Sequence, residues 1–474
     1  MAQDFMNEAA ALLGPRGLVT DGDVMAPWLS DWRGRYHGRA LGMALPATTG
    51  EVAAILRLAA QHGVAVVPQG GNSGMSGGAT PDDSGKALLL SLRRMNDMSA
   101  VDVANRRITC GAGVVLQNLH EAAEAVGLRF PLTLGGKGLA TVGGLIATNA
   151  GGTQVLRHGN MRAQVLGLEA VLPDGQIYSA LTPLIKDNRG FDLKQLFIGS
   201  EGTLGVVTAA TLALVPGLAD RRVVWAGVTS IQAARALLLH VENSVGAALE
   251  GFEVIPHPSL AAVFDYAPDM RSPLTQAHAW YALIEVVADA DGASSLGERV
   301  ETMLGNAFEA GLLEDAVIAA NETQAEAFWA LRETVPMAER AKGPAKQHDI
   351  SVPVEKMPDF ITAASHEIEA HYPGCEAVAF GHLGDGNVHF HVISPPGSER
   401  VAWEAGDGHA ISEMVHDLVT QWGGSISAEH GIGQMKVGEL ARLGDPASLW
   451  LMRAVKQALD PMGLLNPGKL VPQG

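Results

Sequence analysis

The chain has 474 residues, 47% of them hydrophobic and 18% charged, enough for two or three domains around sizeable cores. A formal net charge of −18 argues against a nucleic-acid partner and against an anionic membrane surface, though not against a small anionic substrate. Two cysteines, Cys110 and Cys375, make no disulfide framework. No window offers the ~18 uncharged apolar residues of a membrane span, and the acidic start (Asp4, Glu8) lacks a leader's basic region, so a cytoplasmic protein is expected.

Residues 1–44 read as a short helix followed by an irregular, Trp-rich segment. Thr48-Thr49-Gly50-Glu51 has capping-box spacing and predicts a helix to Gln61, ended by Gly63, then a short buried strand from Val64 to Val67. Next comes Pro68-Gln69-Gly70-Gly71-Asn72-Ser73-Gly74-Met75-Ser76-Gly77-Gly78. So many glycines bare the backbone N–H groups and permit an anion-binding nest. A second glycine-rich stretch runs from Leu134 to Gly152, where Gly143-Gly144 opens a short helix whose N-terminus could face a pyrophosphate. A third, from Phe197 to Val207, leads into a strand closed by Pro216. Neither standard nucleotide fingerprint is present: Gly111-Ala112-Gly113 begins like a dinucleotide turn, but Leu116 stands where the third glycine belongs. Three separate loops imply a long phosphate-bearing ligand lying across several backbone segments.

After Pro216-Gly217 the texture changes. Strand-like runs at 248–255, 280–287, 348–352 and 376–380 alternate with helical runs at 231–245, 294–310, 322–340 and 355–371. This predicts an antiparallel sheet with helices on one face. Its last strand pair is Gly381-His382-Leu383-Gly384-Asp385-Gly386-Asn387-Val388-His389-Phe390-His391, and Ser427-Ala428-Glu429-His430-Gly431 follows. His389 and His391, two apart in a strand, share a face. His382, His389 and Glu429, with a fourth position open, match a catalytic zinc-type site and leave His430 as a base. The plainer alternative is a hairpin whose histidines are ordinary strand residues around an Asp-Gly-Asn turn.

Taken together, the stretches 68–78, 141–152, 198–205, 381–389, 427–431 and 465–469 resemble the FAD-dependent D-2-hydroxyacid dehydrogenases of the vanillyl-alcohol-oxidase flavoprotein superfamily. D-2-hydroxyglutarate dehydrogenases are the nearest branch, with D-lactate dehydrogenases next. The resemblance implies an α+β, two-domain fold. It has an N-terminal segment (1–44), an FAD-binding domain (45–218), an antiparallel-sheet substrate (cap) domain (219–425), and a C-terminal segment (426–474) returning to the FAD domain. It implies non-covalent FAD, since the first loop carries no His or Cys nucleophile. The cofactor would lie along Pro68, Gln69, Gly70, Gly71, Asn72, Ser73, Ser76 and Gly77, and along Leu134, Gly135, Thr141, Gly143, Gly144, Asn149 and Gly151. Glu201, Gly202, Gly205, Val206, Val207 and Asn466 would complete that set.

The same resemblance assigns a divalent metal, Zn2+ first, to His382, His389 and Glu429, the general base to His430, and substrate binding to Arg332, Lys346 and His391. Pro336 stands where a family threonine is usual, Gln347 where the family lysine aligns, and His391 where some members have Asn. These departures bear on which small anionic 2-hydroxy acid is bound. The first expectation is D-2-hydroxyglutarate oxidation, the second D-lactate or another short acid. A metal-dependent hydrolase is the alternative from another class, and a subunit serving mainly in assembly or electron transfer is a third. Expected partners are an electron-transfer flavoprotein or a quinone or cytochrome carrier, and, by family analogy, a second copy in a homodimer.

Overall fold

A computed structural model describes residues 2–184 and 186–473, and these form two compact units. The first comprises Met1–Gly152, His158–Gly217 and Glu429–Gly474, the second Thr153–Arg157 and Leu218–Ala428. The chain leaves the first unit between Gly217 and Leu218, where Pro216-Gly217 had marked a change of texture.

The first unit holds two four-stranded sheets and, among the described residues, a two-stranded pairing of Leu128–Arg129 with Val215–Pro216. In one, Val66–Gln69, Leu88–Ser91 and Gly42–Ala44 run parallel, with Leu18–Val19 antiparallel at the edge. The helix Thr49–His62 covers it, capped as expected by the Thr48 hydroxyl on the Glu51 amide and ended by Gly63 at φ +63°. Its apolar stripe, Val52, Ile55, Leu56 and Ala59, packs with Phe5 and Ala9 of the N-terminal helix Ala2–Leu13. The other sheet is antiparallel, ordered Arg107–Gly111, Val206–Ala213, Val165–Val171, Ile177–Ala180.

The second unit is built on one seven-stranded antiparallel sheet. Its order is Asp315–Ile318, Asp220–Val228, Trp280–Ala288, Leu249–Pro256, Glu376–His382, Asn387–Ile393, Ala345–Ser351. Helices cover both faces, not the one face expected. Every residue of Leu249–Pro256 is buried, which a sheet with one bare face would not allow. Trp225, Leu283 and Phe380 pack against the helices His257–Tyr266 and Glu322–Lys342. On the opposite face, Phe390 meets Phe360 of the helix Met357–His371, and His348 meets Ser412 of the helix Asp407–Gln421. No helix among the described residues is long and apolar enough to cross a membrane.

Candidate active site

In the second unit the strand register builds a polar row on a single face. His382 is paired with Glu253 and with Asn387, Phe380 with His389, Asp349 with His389, and Gln347 with His391. Directly paired residues share a face of the pleat, so all of these side chains stand on the side covered by the helix Glu322–Lys342. That helix contributes Arg332, whose Nε donates to Glu253 Oε2 at 2.7 Å. Glu253 Oε1 lies 2.5 Å from His382 Nδ1. One fully buried carboxylate thus holds an arginine and a histidine together. Burial alone would raise the Glu253 pKa, but Arg332 and His382 reverse this and hold it well below the usual carboxylate range.

The ring of Phe380 is the hub of this row. The Arg332 guanidinium sits over it, 4.9 Å from its centroid, and the rings of His389 and His391 approach at 5.0 and 5.1 Å. His382 and His389 have ring centroids 5.6 Å apart. Burial, followed by the charges of Arg332 and His382, pushes the His389 pKa well below its ordinary value, so its imidazole is neutral and its lone pair can be donated. These residues fit a divalent ion. A carboxylate on His382 Nδ1 directs Nε2 to the ligand role, and a neutral His389 is the form a metal requires. Asp385, in the turn between the two histidines, has its pKa raised by burial.

Arg332 and His391 stand on the face that carries His382 and His389, and the terminal nitrogens of Arg332 take no hydrogen bond among the described residues. Lys346 stands elsewhere. The strand Ala345–Ser351 starts ahead of the expected one, and its pleat sends Lys346, paired with Val392, to the opposite face. There its Cε packs beside Gly408. Gln347 takes the face of the site instead. Pro336 lies inside the helix with neither hydroxyl nor N–H to offer. Sequence reasoning missed Glu253, Asp349, Phe380 and Glu339. A carboxylate within the apolar run Leu249–Pro256 was the signal for Glu253, because a buried acid must be paired.

Glu429 and His430 open the last segment of the first unit, directly after Ala428, whose N–H donates to the Asp349 carbonyl at 3.2 Å. Beyond them the segment is fastened to the glycine loops. The Glu201 carboxylate accepts the amides of Ile432 and Gly433 at 2.8 and 2.7 Å, and Ser76 Oγ donates to the Gly431 carbonyl. The side chain of Glu201, expected at the cofactor, is thus committed to the protein.

The expected FAD cradle divides in a similar way. The amides of Gly70, Gly71, Asn72 and Ser73 meet no acceptor among the described residues, as an anion nest requires. A Cβ on Gly71 would lie 1.7 Å from the Leu139 carbonyl oxygen, and one on Gly70 2.3 Å from Thr141 Oγ1. Thr141 Oγ1 and Asn466 Oδ1 are buried without a partner, waiting for an incoming group, while Asn466 Nδ2 donates to the Gly78 and Glu201 carbonyls. These features fit a pyrophosphate and a polar ring system.

Other expected contacts are already used by the fold. The Gly143 amide donates to the Ala112 carbonyl, and Asn149 Oδ1 accepts the Arg162 amide. The side chains of Val206 and Val207 lie in the two cores, and Gly205 packs under Phe197. Gln69 Nε2 is spent on the carbonyls of Trp28 and Ala79. Pro68 lies against Gly202.

Residues 40–180 match the family described as FAD binding domain, and residues 218–470 the family described as FAD linked oxidases, C-terminal domain. The chain is 36% identical over 476 residues to a mitochondrial D-2-hydroxyglutarate dehydrogenase of Danio rerio, covering 100% of this chain and 86% of the relative. It is 36% identical over 444 residues to a D-2-hydroxyglutarate dehydrogenase of Xanthomonas citri pv. viticola, covering 93% of this chain and 91% of the relative. Among solved structures it is similar to substrate-bound p-cresol methylhydroxylase, with a TM-score of 0.76 at 14% identity, covering 98% of this chain and 97% of the other. That last likeness concerns the fold alone. The chain belongs to the FAD-linked oxidases of the vanillyl-alcohol-oxidase superfamily, as an FAD-dependent dehydrogenase of D-2-hydroxy acids.

Proposed function

We propose that the protein oxidises D-2-hydroxyglutarate to 2-oxoglutarate. The observation that carries this reading is Glu253 binding Arg332 and His382 on the sheet face that also presents His389. The terminal nitrogens of Arg332 take the substrate carboxylate as a two-pronged cation. Glu253 keeps the guanidinium and the His382 ring in one fixed relation, and Phe380 excludes water beneath them. A divalent ion, zinc in the first instance, would be held by His382, His389 and Glu429 and would supply a Lewis acid for the 2-hydroxyl. Bound along the loops of the first unit, FAD supplies the two-electron acceptor for the C2 hydride. His430 takes the hydroxyl proton, so the alcohol leaves as a ketone with charge balanced. The electrons then leave through an electron-transfer flavoprotein or a quinone or cytochrome carrier.

One observation favours a shorter acid such as D-lactate as the runner-up. Lys346 is turned away and Gln347 stands in the row, so the face lacks a lysine for a second carboxylate. Anaerobic titration of the purified protein tests both. Bleaching of the flavin band by D-2-hydroxyglutarate at low concentration supports the proposal. Bleaching only by D-lactate moves the assignment to the shorter acid, and no bleaching by any D-2-hydroxy acid sinks the reading.

A further inference from the structure

Behind His391 lies a buried assembly that the reaction as described does not use. His391 Nδ1 is hydrogen-bonded to Glu339 Oε2, and Ser259 Oγ donates to Glu339 Oε1 at 2.6 Å. Glu339 is 1% exposed and Ser259 0%, so the carboxylate is fully committed, one oxygen to each partner. The three residues come from three elements: the helix His257–Tyr266, the helix Glu322–Lys342 and the strand Asn387–Ile393.

The two ring nitrogens of an imidazole point to opposite sides. With Nδ1 turned to Glu339, Nε2 faces away from it, and Nε2 takes no partner among the described residues. His391 also lies edge-on to Phe380, the ring that carries Arg332 and His389. Arg332 and Glu339 are seven positions apart on one helix, so they lie on the same side of it, two turns apart. His389 and His391 are two positions apart on one strand, which separates them by about 7 Å along the face. The row therefore has two ends. At one, Arg332, His382 and His389 meet the carboxylate and hydroxyl of the proposed substrate. At the other stand His391 and its cross-strand neighbour Gln347. A substrate anchored at the first end touches the second only if it carries a further arm of two or three carbons.

We propose that Glu339 is a positioning residue: supported by Ser259, it fixes the His391 ring so that, with ligand bound, the ring stands as an imidazolium between two carboxylates, its Nε2–H donating, beside Gln347, to the polar far end of a D-2-hydroxy acid longer than lactate. This rests on the functional reading above and deepens it, because it assigns the discrimination between a diacid and a short monoacid to a buried carboxylate that touches neither.

The test uses the holoenzyme. Dissociation constants for 2-oxoglutarate and pyruvate are read from the perturbation of the flavin spectrum, and KM and kcat are measured with D-2-hydroxyglutarate and D-lactate. The proteins are wild type, Glu339→Gln, His391→Ala and the double variant. Glu339→Gln is expected to weaken 2-oxoglutarate about tenfold, the scale of a hydrogen bond to a charged group, and pyruvate less than about twofold. The loss falls on KM and leaves kcat with saturating D-2-hydroxyglutarate nearly unchanged. In the His391→Ala background the same substitution adds nothing. An equal loss for both oxo acids, or a full further loss without His391, overturns the proposal. Ser259→Ala, a milder change at a helix position, is expected to move the same ratio about threefold, and an unmoved ratio there overturns it too. If the wild-type flavin is reduced by no D-2-hydroxy acid, the functional reading itself fails. A selective wild type whose Glu339→Gln form loses both acids alike sinks this inference alone.

Discussion

The two units prepare for their ligands with different parts of the chain. In the first, backbone does the work: Gly70 to Ser73 offer bare amides, and the neighbouring Leu139 carbonyl leaves no room for a Cβ at Gly71. In the second, side chains do it, standing on a regular antiparallel sheet whose register sets His382, His389 and His391 in one row. The lesson is one of opposite sensitivities. The loops of the first unit are damaged by adding atoms, the sheet face of the second by removing them. A substitution that harms one ligand should leave the other unit's ligand in place.

The sharpest way to break this contrast is Gly71→Val. Its side chain collides with the Leu139 carbonyl, so the purified protein should carry no flavin absorbance and no activity, while a divalent ion bound at His382 and His389 should remain on elemental analysis. Metal lost together with the flavin would refute the separation. Removal on the other side comes next. His389→Ala should slow flavin reduction on the order of 1,000-fold, because a Lewis acid supplies several kcal/mol of stabilisation, yet the protein should remain yellow.

Glu253→Gln should cost about 10- to 100-fold in rate or metal affinity, the range for a carboxylate that orients a ligating histidine. It should also lower thermal stability, because Arg332 would be left buried without its counter-ion. Gentler still is the response to pH. The folded protein holds His389 neutral, so the unfolded chain binds more protons below the ordinary histidine value of 6.5, and stability should fall as pH drops through it. A second decline should start below 4.5, where the unfolded chain takes up a proton at Glu253 that the folded chain does not. A denaturant midpoint flat from neutral pH to 4.5 would contradict the His389 assignment. The smallest effect is expected of Lys346→Ala. Because Lys346 faces the helix Asp407–Gln421, KM should change less than about twofold, whereas Gln347→Ala should raise it several-fold.

These regions also differ in how far they could be read beforehand. Glycine marks a bare backbone, so the three loops were visible as loops. Which amides the fold had already taken was not, because the partner of Gly143 is Ala112, on a different segment. On the sheet, His382 and His389 announced themselves by residue type and by the turn between them. Lys346 misled because a strand's parity decides the face, and the strand began at Ala345 rather than at His348. Glu253 and Glu339 could be suspected as buried acids, but their partners lie far along the chain, at Arg332 and His382 and at His391. The strand Asp220–Val228 went unread because the domain boundary, between residues 218 and 219, was set just ahead of it. Helices were more legible: Ile231–Val245 has the predicted bounds because Ser230 caps it and its apolar spacing is unbroken.

If the histidine row, with a divalent ion bound, activates the 2-hydroxyl for oxidation by the flavin, removing that ion should stop the reaction. The most direct measurement is single-turnover flavin reduction by D-2-hydroxyglutarate, before and after metal is stripped with a chelator and again after zinc is returned. Stripped protein that keeps its flavin colour, is not reduced, and recovers on adding zinc is the predicted result. Stripped protein reduced at full speed would contradict it.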